Sequence, residues 1–365
     1  MSISYDCDVL IAGAGPTGMS AAIALHDFGY KVMIIDRHET SLDFSRAILV
    51  NSSALRALKP FGIHEKIGKA GIPFTSMAIR GPGGDILSGP VGAPSTDGIR
   101  PISLPQLETE RCLNEGLSER GLEVERPLTL VSFQQDESKV ESLVEGPRGT
   151  RTMISRYLLG ADGAHSKVRE ILNIDYHRTP EPLRMYSQDA MLAWESEPDL
   201  VIWILDSGAV MAMRIGNDRV RFAATTRASF EELGLSQRIQ KTTWESDFEV
   251  HFAQVNTYGK DRIWIAGDAA HIHSPIGGRG MNMGIADGIR FAEAVRDGYF
   301  EAYAADRHQV SGSWVSKNRR FTTLVSDSSL KGRAFRTLIR AGYRTASAVF
   351  GGKAAQKIFS VMAQG

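Results

Sequence analysis

The sequence predicts an α/β fold: a parallel-sheet domain, an inserted and mostly antiparallel β-sheet domain, and a helical C-terminal tail. Three observations predict it. The chain opens as strand, glycine turn, helix, strand. Residues 186–226 change to short strands separated by Gly or Asn turns. After a last buried strand at 262–266 the pattern is mostly helical. At 365 residues, 42% hydrophobic and 23% charged, the chain exceeds one ordinary domain and can bury a core without disulfide or metal staples.

The elements follow in order. Asp8-Val9-Leu10-Ile11-Ala12 is a continuous apolar run, as in a strand buried on both faces. Gly13-Ala14-Gly15-Pro16-Thr17-Gly18 breaks it. Residues 19–28 are apolar at helical spacing, and Gly29 sits where a helix would stop. Lys31-Val32-Met33-Ile34-Ile35-Asp36 is a second buried strand ending in an acid. The pair implies a right-handed βαβ crossover. A short helix is expected over 52–61, and a hairpin joins residues 77–80 and 85–87 through Gly81-Pro82-Gly83-Gly84. Residues 106–120 form an amphipathic helix, followed by a strand near Val124 and a hairpin over 140–153. Residues 157–163 are a buried strand ending in Gly and Asp. Residues 201–205, 209–215 and 219–226 would form an antiparallel meander.

Lys plus Arg and Asp plus Glu both number 42, so no net field draws the chain to nucleic acid or an anionic membrane, and neither partner is expected. Cys7 and Cys112 have no ligand spacing, which argues against a disulfide scaffold or a zinc site. His271 and His273 are two apart after a strand, with no third ligand evident, so no metal is expected. Residues 1–8 carry two acids and no base, unlike a signal peptide, and no segment is long and apolar enough to span a bilayer. A cytoplasmic protein, monomer or homodimer, is expected. After Asp327 the chain has no acid but seven bases, among them Arg333, Arg336, Arg340 and Arg344 on one helical face, with Phe335, Leu338 and Ile339 on another. The expectation is a docked amphipathic helix whose basic face is solvated.

The chemistry lies in the glycine turns. Gly13-x-Gly15-x-x-Gly18 follows a strand and opens a helix, as a dinucleotide fingerprint must. Gly13 permits the turn, Gly15 admits a pyrophosphate to the backbone, and Gly18 lets helix and strand pack closely. Pro16 and Thr17 complete the loop. Asp36 stands about 18 residues beyond Gly18, where an acid binds a ribose hydroxyl, with Arg37 beside it. A second strand ends at Gly267-Asp268, which sets a carboxylate at the sheet edge where ligands bind. Gly277, Gly278 and Gly280 then bring bare backbone toward a flat ligand.

Two segments carry a resemblance. Gly160-Ala161-Asp162-Gly163-Ala164-His165-Ser166-Lys167-Val168-Arg169 resembles the Asp-Gly motif of the flavoprotein aromatic hydroxylases. Gly267-Asp268-Ala269-Ala270-His271, continuing through Pro275, Gly277, Gly278, Gly280, Met281 and Asn282 to Asp287, resembles their Gly-Asp motif. With the N-terminal fingerprint, all three stand in that family's order. The chain resembles, over residues 5–310, the single-component FAD-dependent monooxygenases typified by para-hydroxybenzoate hydroxylase. The resemblance implies a Rossmann-like FAD-binding domain at 1–75, 101–175 and 259–300, a substrate domain at 76–100 and 176–258, and a helical region at 301–365. A helical tail, without the thioredoxin-like domain of some members of that family, is the expectation.

The resemblance also implies a chemistry: NAD(P)H, bound transiently, reduces FAD. O2 then forms a flavin C4a-hydroperoxide that hydroxylates a small phenol-like or polycyclic aromatic. Asp268 would hold the ribityl chain, and residues 275–282 would line the isoalloxazine. Asp162, with Arg169, would serve FAD and NAD(P)H, while Asp162 or Ser166 caps the following helix. Arg46 would approach the pyrophosphate and Gln106 the flavin. Substrate-facing candidates are Tyr186, Trp203, Met211, Met213, Arg214, Arg221 and Pro275; no catalytic base stands out. A flavin-dependent halogenase, a lipid-directed reductase or epoxidase, and a non-catalytic flavin-binding protein stay open as alternatives.

Overall fold

The computed structural model describes residues 3–40, 47–91, 97–179 and 182–350. Its helices are α1 Pro16–Asp27, α2 Ser52–Leu58, α3 Ile63–Ala70, α4 Gln106–Ser118, α5 Lys167–Ile171, α6 Arg227–Glu232, α7 Gly280–Asp297, α8 Phe300–Ser326 and α9 Leu330–Phe350. The α/β architecture is the one expected. Among the described residues, an eight-stranded sheet is built around Cys7–Ala12, which pairs in parallel with Val32–Ile35 on one side and Gly149–Gly160 on the other. Ile263–Ile265 then pairs in parallel with Gly149–Gly160. Val9, Leu10 and Ile11 are fully buried within the main hydrophobic core, which is why this strand reads as an unbroken apolar run.

A seven-stranded sheet forms the second layer system. Its order is Lys241–Val250, Leu183–Met191, Arg219–Ala224, Ala209–Arg214, Leu200–Ile204, Ser76–Gly81, Gly84–Pro90. The three-strand meander over 200–224 is present. All neighbours are antiparallel except Leu200–Ile204 with Ser76–Gly81. Alternation gives this sheet two distinct faces. One carries Met77, Ile79, Leu200, Ile204 and Met213, with Ile202 and Met211 packed against them. The other carries Tyr186, Ala190, Val201, Val210, Phe222 and Phe230, with Trp203 packed against them.

Two features depart from the sequence reading. Helix α3 was not expected; Gly62 at φ +75° turns the chain into it, and its apolar face is only Ile63 and Ile67. The basic face of α9 is solvated only in part: Arg333 and Arg344 are exposed as expected, but Arg336 and Arg340 are not. Arg336 is fully buried and donates to the carbonyls of Val325, Asp327 and Asp206 at 2.8, 2.8 and 2.6 Å. Arg340 pairs with Asp206 at 2.8 Å, while Leu338 is 70% exposed. A guanidinium has five donors in a fixed fork, so an array of carbonyls can take it out of water. Lys353 and Lys357 of the basic tail lie outside the described residues.

Helix α1 is wedged between the parallel sheet and α7. A Cβ on Gly288 would stand 2.3 Å from the Thr17 carbonyl oxygen and 3.1 Å from the Ala21 nitrogen. Backbone cannot yield as a side chain tip can. Gly288→Ala is therefore expected to destabilise the protein by about 1–3 kcal/mol, as overpacking does. The measurement is the urea midpoint of the purified variant, which falls while the slope stays unchanged.

Candidate active site

The three glycine motifs meet at one end of α1. Gly13 adopts φ +107°, and a Cβ there would lie 2.2 Å from the Ala161 oxygen, so the fingerprint turn and the Asp162 turn are in direct backbone contact. A Cβ on Gly18 would lie 1.9 Å from the Gly13 oxygen. A Cβ on Gly267, at φ +62°, would lie 2.5 Å from Thr17 Oγ1, and one on Gly284 would lie 2.4 Å from the same atom. A Cβ on Gly15, by contrast, meets nothing within 4 Å: bare backbone faces open space there. Pro16 occupies the first turn of α1, and no side chain caps the helix. Its free N–H groups and positive dipole end suit a phosphate.

Asp36 braces this turn. Its carboxylate accepts from Ala14 N at 2.8 Å and His38 N at 2.9 Å, and Arg126 lies 3.3 Å away. Arg37 is exposed beside it. Asp162 Oδ2 accepts from the amides of Lys167 and Val168 at the start of α5, and Ser166 caps the Arg169 amide, so capping is shared between them. Asp162 Oδ1 is buried and has no partner among the described residues. Burial raises its pKa above the usual carboxylate range. Arg169 reaches across to the Ala269 oxygen at 2.8 Å with its guanidinium 3.9 Å above the Tyr176 ring, and the Tyr176 hydroxyl donates to the Asp268 oxygen. The Asp268 side chain stands exposed at this edge.

Behind Gly267 lies a buried polar network that the sequence reading did not find. Asp287 Oδ2 accepts from Gly267 N at 3.0 Å and pairs with His271 Nε2 at 2.7 Å; Arg307 meets Oδ1 at 3.3 Å. Beyond it, Ser274 and the Ile276 oxygen bond to Asn318, which fixes the 274–280 loop to α8. Gly277 and Gly278 take φ +93° and +60°. Asn282 accepts from Asn51 N and donates to the oxygens of Leu49 and Gly278, and Asn51 caps α2. Pro275 and Met281 are half-buried in this loop and helix start. Gln106 at the start of α4 bonds to Glu110 and receives the Ala47 amide. Arg46 lies outside the described residues.

Of the substrate-facing candidates, Met211 and Met213 are on the sheet face shared with Leu49, and Leu49 Cδ2 is 3.5 Å from where a Cβ on Gly278 would be. Tyr186 and Trp203 are on the opposite face and pack there as core. The Tyr186 hydroxyl donates to Glu245. Arg214 pairs with Asp199 at 2.7 Å. Arg221 is buried against Asp189 at 2.5 and 2.7 Å, with its guanidinium 5.1 Å from the Trp244 ring. These four residues are engaged in packing and pairing, and the sequence reading did not separate them from the methionines.

The model of a family described as FAD binding domain matches residues 6–233 and 221–317. The chain belongs to the FAD-dependent aromatic hydroxylases. It is 28% identical to a 12-dehydrotetracycline 5-monooxygenase/anhydrotetracycline 6-monooxygenase of Streptomyces rimosus, over 91% of this chain and 72% of that one. It is 27% identical to a rifampicin monooxygenase of Streptomyces venezuelae, over 87% and 72%. The solved structure of p-nitrophenol 4-monooxygenase from Pseudomonas putida shares its fold, with a TM-score of 0.85 at 20% identity over 100% of this chain and 99% of the other. The hydroxylase is thus an FAD-dependent monooxygenase. Its residues fit the cofactor: the open cradle at Gly15, the uncapped α1 and the unpartnered Asp162 oxygen are what an elongated, anionic, hydroxyl-bearing group would complete. FAD, when bound, accepts hydride from NAD(P)H and activates O2. Among the described residues of the hydroxylase, no helix is long and apolar enough to cross a membrane and no cluster of three metal-ligating side chains occurs.

His273 gives this hydroxylase a pH signature. Its Nδ1 donates to the Ser274 oxygen at 2.8 Å, and burial pushes its pKa down from 6.5 to about 4. The unfolded chain therefore takes up a proton below pH 6.5 that the folded chain refuses down to about 4. Stability is complete above that window and declines through it, by about 3 kcal/mol for this group. Urea titrations at pH 7 and pH 4.5 should show a smaller acid loss in His273→Gln than in the parent.

Proposed function

We propose that the enzyme hydroxylates a phenol-like or polycyclic aromatic seated between the 275–280 loop and one cross-strand row of the second sheet. The row is Ile202, Met211 and Ala223, which are register partners. One observation carries this reading. These three residues are only partly buried, while Leu200, Met213 and Arg221 in the next row are buried. Leu49 packs against the same face, and Ile276 packs with Met185 from it. A part-covered apolar strip facing bare loop backbone is what a flat, water-shedding ligand requires. A methionine in the row adapts to ring shape. The named relatives act on multi-ring compounds in the Streptomyces proteins and on a nitrophenol in the Pseudomonas one, which supports both substrate sizes.

In this reading the pyrophosphate lies at the N-terminus of α1 over Gly15, Asp36 serves the ribose and Asp268 the ribityl chain. Residues 275–282 line the flavin ring. The chain's own work is positional. The Asn318 and Asn282 bonds hold the loop, and the sheet face excludes water from the ring, because water access wastes activated oxygen as peroxide. The buried Cys7 and Cys112, both free thiols, support a cytoplasmic location.

The test is to load purified protein with FAD and follow NADPH oxidation with a panel of one-ring and multi-ring phenols. A matching aromatic should accelerate oxidation and leave a product heavier by one oxygen. Met211→Trp should fill the strip, raise the aromatic's KM at least tenfold and leave the FAD content at the parental level. No stimulation by any member of the panel would sink the proposal.

A further inference from the structure

Among the described residues the hydroxylase buries four arginines, and each donates to carbonyls or carboxylates of the chain itself, although Arg336 Nε is left without a partner. Arg169 donates to the carbonyls of Ala269 and Ala164, and Arg221 to Asp189. Arg307 meets Asp287 and Asp306, and Arg336 meets three carbonyls. Arg279 is the exception. It is half-buried at the end of the flavin-loop glycines, and among the described residues it makes no hydrogen bond or ion pair. Its guanidinium instead lies 4.0 Å from the centroid of the Trp314 ring. Burial with no acid set against it pushes its pKa below the usual arginine range. An enclosed cation without a counter-charge costs free energy that an incoming anion would recover.

Two more polar atoms at the same place lack partners. Among the described residues, Trp314 Nε1 and His273 Nε2 are both buried and unpaired. The His273 ring meets Trp314 edge-on at 5.9 Å, and a Cβ on Gly277 would lie 2.9 Å from the Trp314 ring. Ile276, next to that glycine, packs in one cluster with Met185 and Phe248, on the sheet face that also carries Met211, and with Val315 of α8. Arg279, Trp314 and His273 therefore border the proposed ring chamber and leave a donor, an acceptor and a cation unspent.

The geometry points to Arg279, stacked on Trp314, as an anion-binding residue that takes the ionised oxygen of an aryl carboxylate or phenolate substrate. This rests on the aromatic-hydroxylase reading above and narrows it: the ring arrives as an anion. Arginine suits the task because its planar fork matches a carboxylate while its face stays on the indole. The same charge could instead serve the anionic reduced flavin, and the experiment separates the two.

Full-length protein loaded with FAD, as parent, Arg279→Met and Arg279→Lys, is titrated with 1-hydroxy-2-naphthoate and with its neutral amide, 1-hydroxy-2-naphthamide, following the flavin absorbance. The flavin midpoint potential is measured on each. The parent should bind the carboxylate at least tenfold more tightly than the amide. Arg279→Met should bind both equally and Arg279→Lys should keep part of the preference, whether or not the potential shifts. Equal affinities in the parent, or a preference that survives in Arg279→Met, would overturn the assignment. A lowered potential with the preference intact assigns the charge to the flavin and overturns it too. Failure of the underlying reading looks different: FAD is held, neither probe perturbs it, and no aromatic stimulates NADPH oxidation.

Discussion

The structure depends on one close approach. The first turn of α1 must touch the Gly267 turn and the face of α7 with no side chain in between. Thr17 is the point of contact: Cβ atoms on Gly267 and Gly284 would fall within 2.5 Å of its hydroxyl, and one on Gly288 within 2.3 Å of its carbonyl. That contact aims the uncapped amides of α1 and sets Asp268 beside them. The opposite side of the Gly267 turn is held as firmly. Its amide ends on Asp287, a fully enclosed carboxylate that also takes His271 and Arg307. A buried acid with a partner on each oxygen fixes one arrangement, since removing any member would leave a buried polar or charged group unpaired.

Much of this was legible in the sequence because close backbone contact leaves a local mark. A turn that needs φ above zero, or a helix that must touch a strand, needs glycine at set intervals. The fingerprint at 13–18 and the segments at 160–169 and 267–282 therefore pointed to one site before any coordinates. Alternation also exposed the meander at 200–224.

The rest was hidden for physical reasons. Whether Met211 or Trp203 looks toward the flavin loop depends on which face another element covers, and period-two alternation alone is silent on that. The buried face of α9 misled because Arg336 counts as polar, while its partners are backbone oxygens on residues far away in the chain, which hydropathy does not register. Asn318 and Trp314 lay inside ordinary helical patterns, and Asp287 stood out only as the end of a motif, without its partners. They matter only because α7 and α8 pack beside the loop that those side chains grip.

The grip of α8 has a mechanical meaning. At its middle the helix holds the 274–280 loop through Asn318 and Thr322. At its end the Val325 oxygen shares Arg336 with the Asp206 oxygen of the antiparallel sheet. One rigid rod thus touches both walls of the cleft. If the sheet swings, the strut carries the displacement straight to the loop, so the two walls move as a linkage and not as independent flaps.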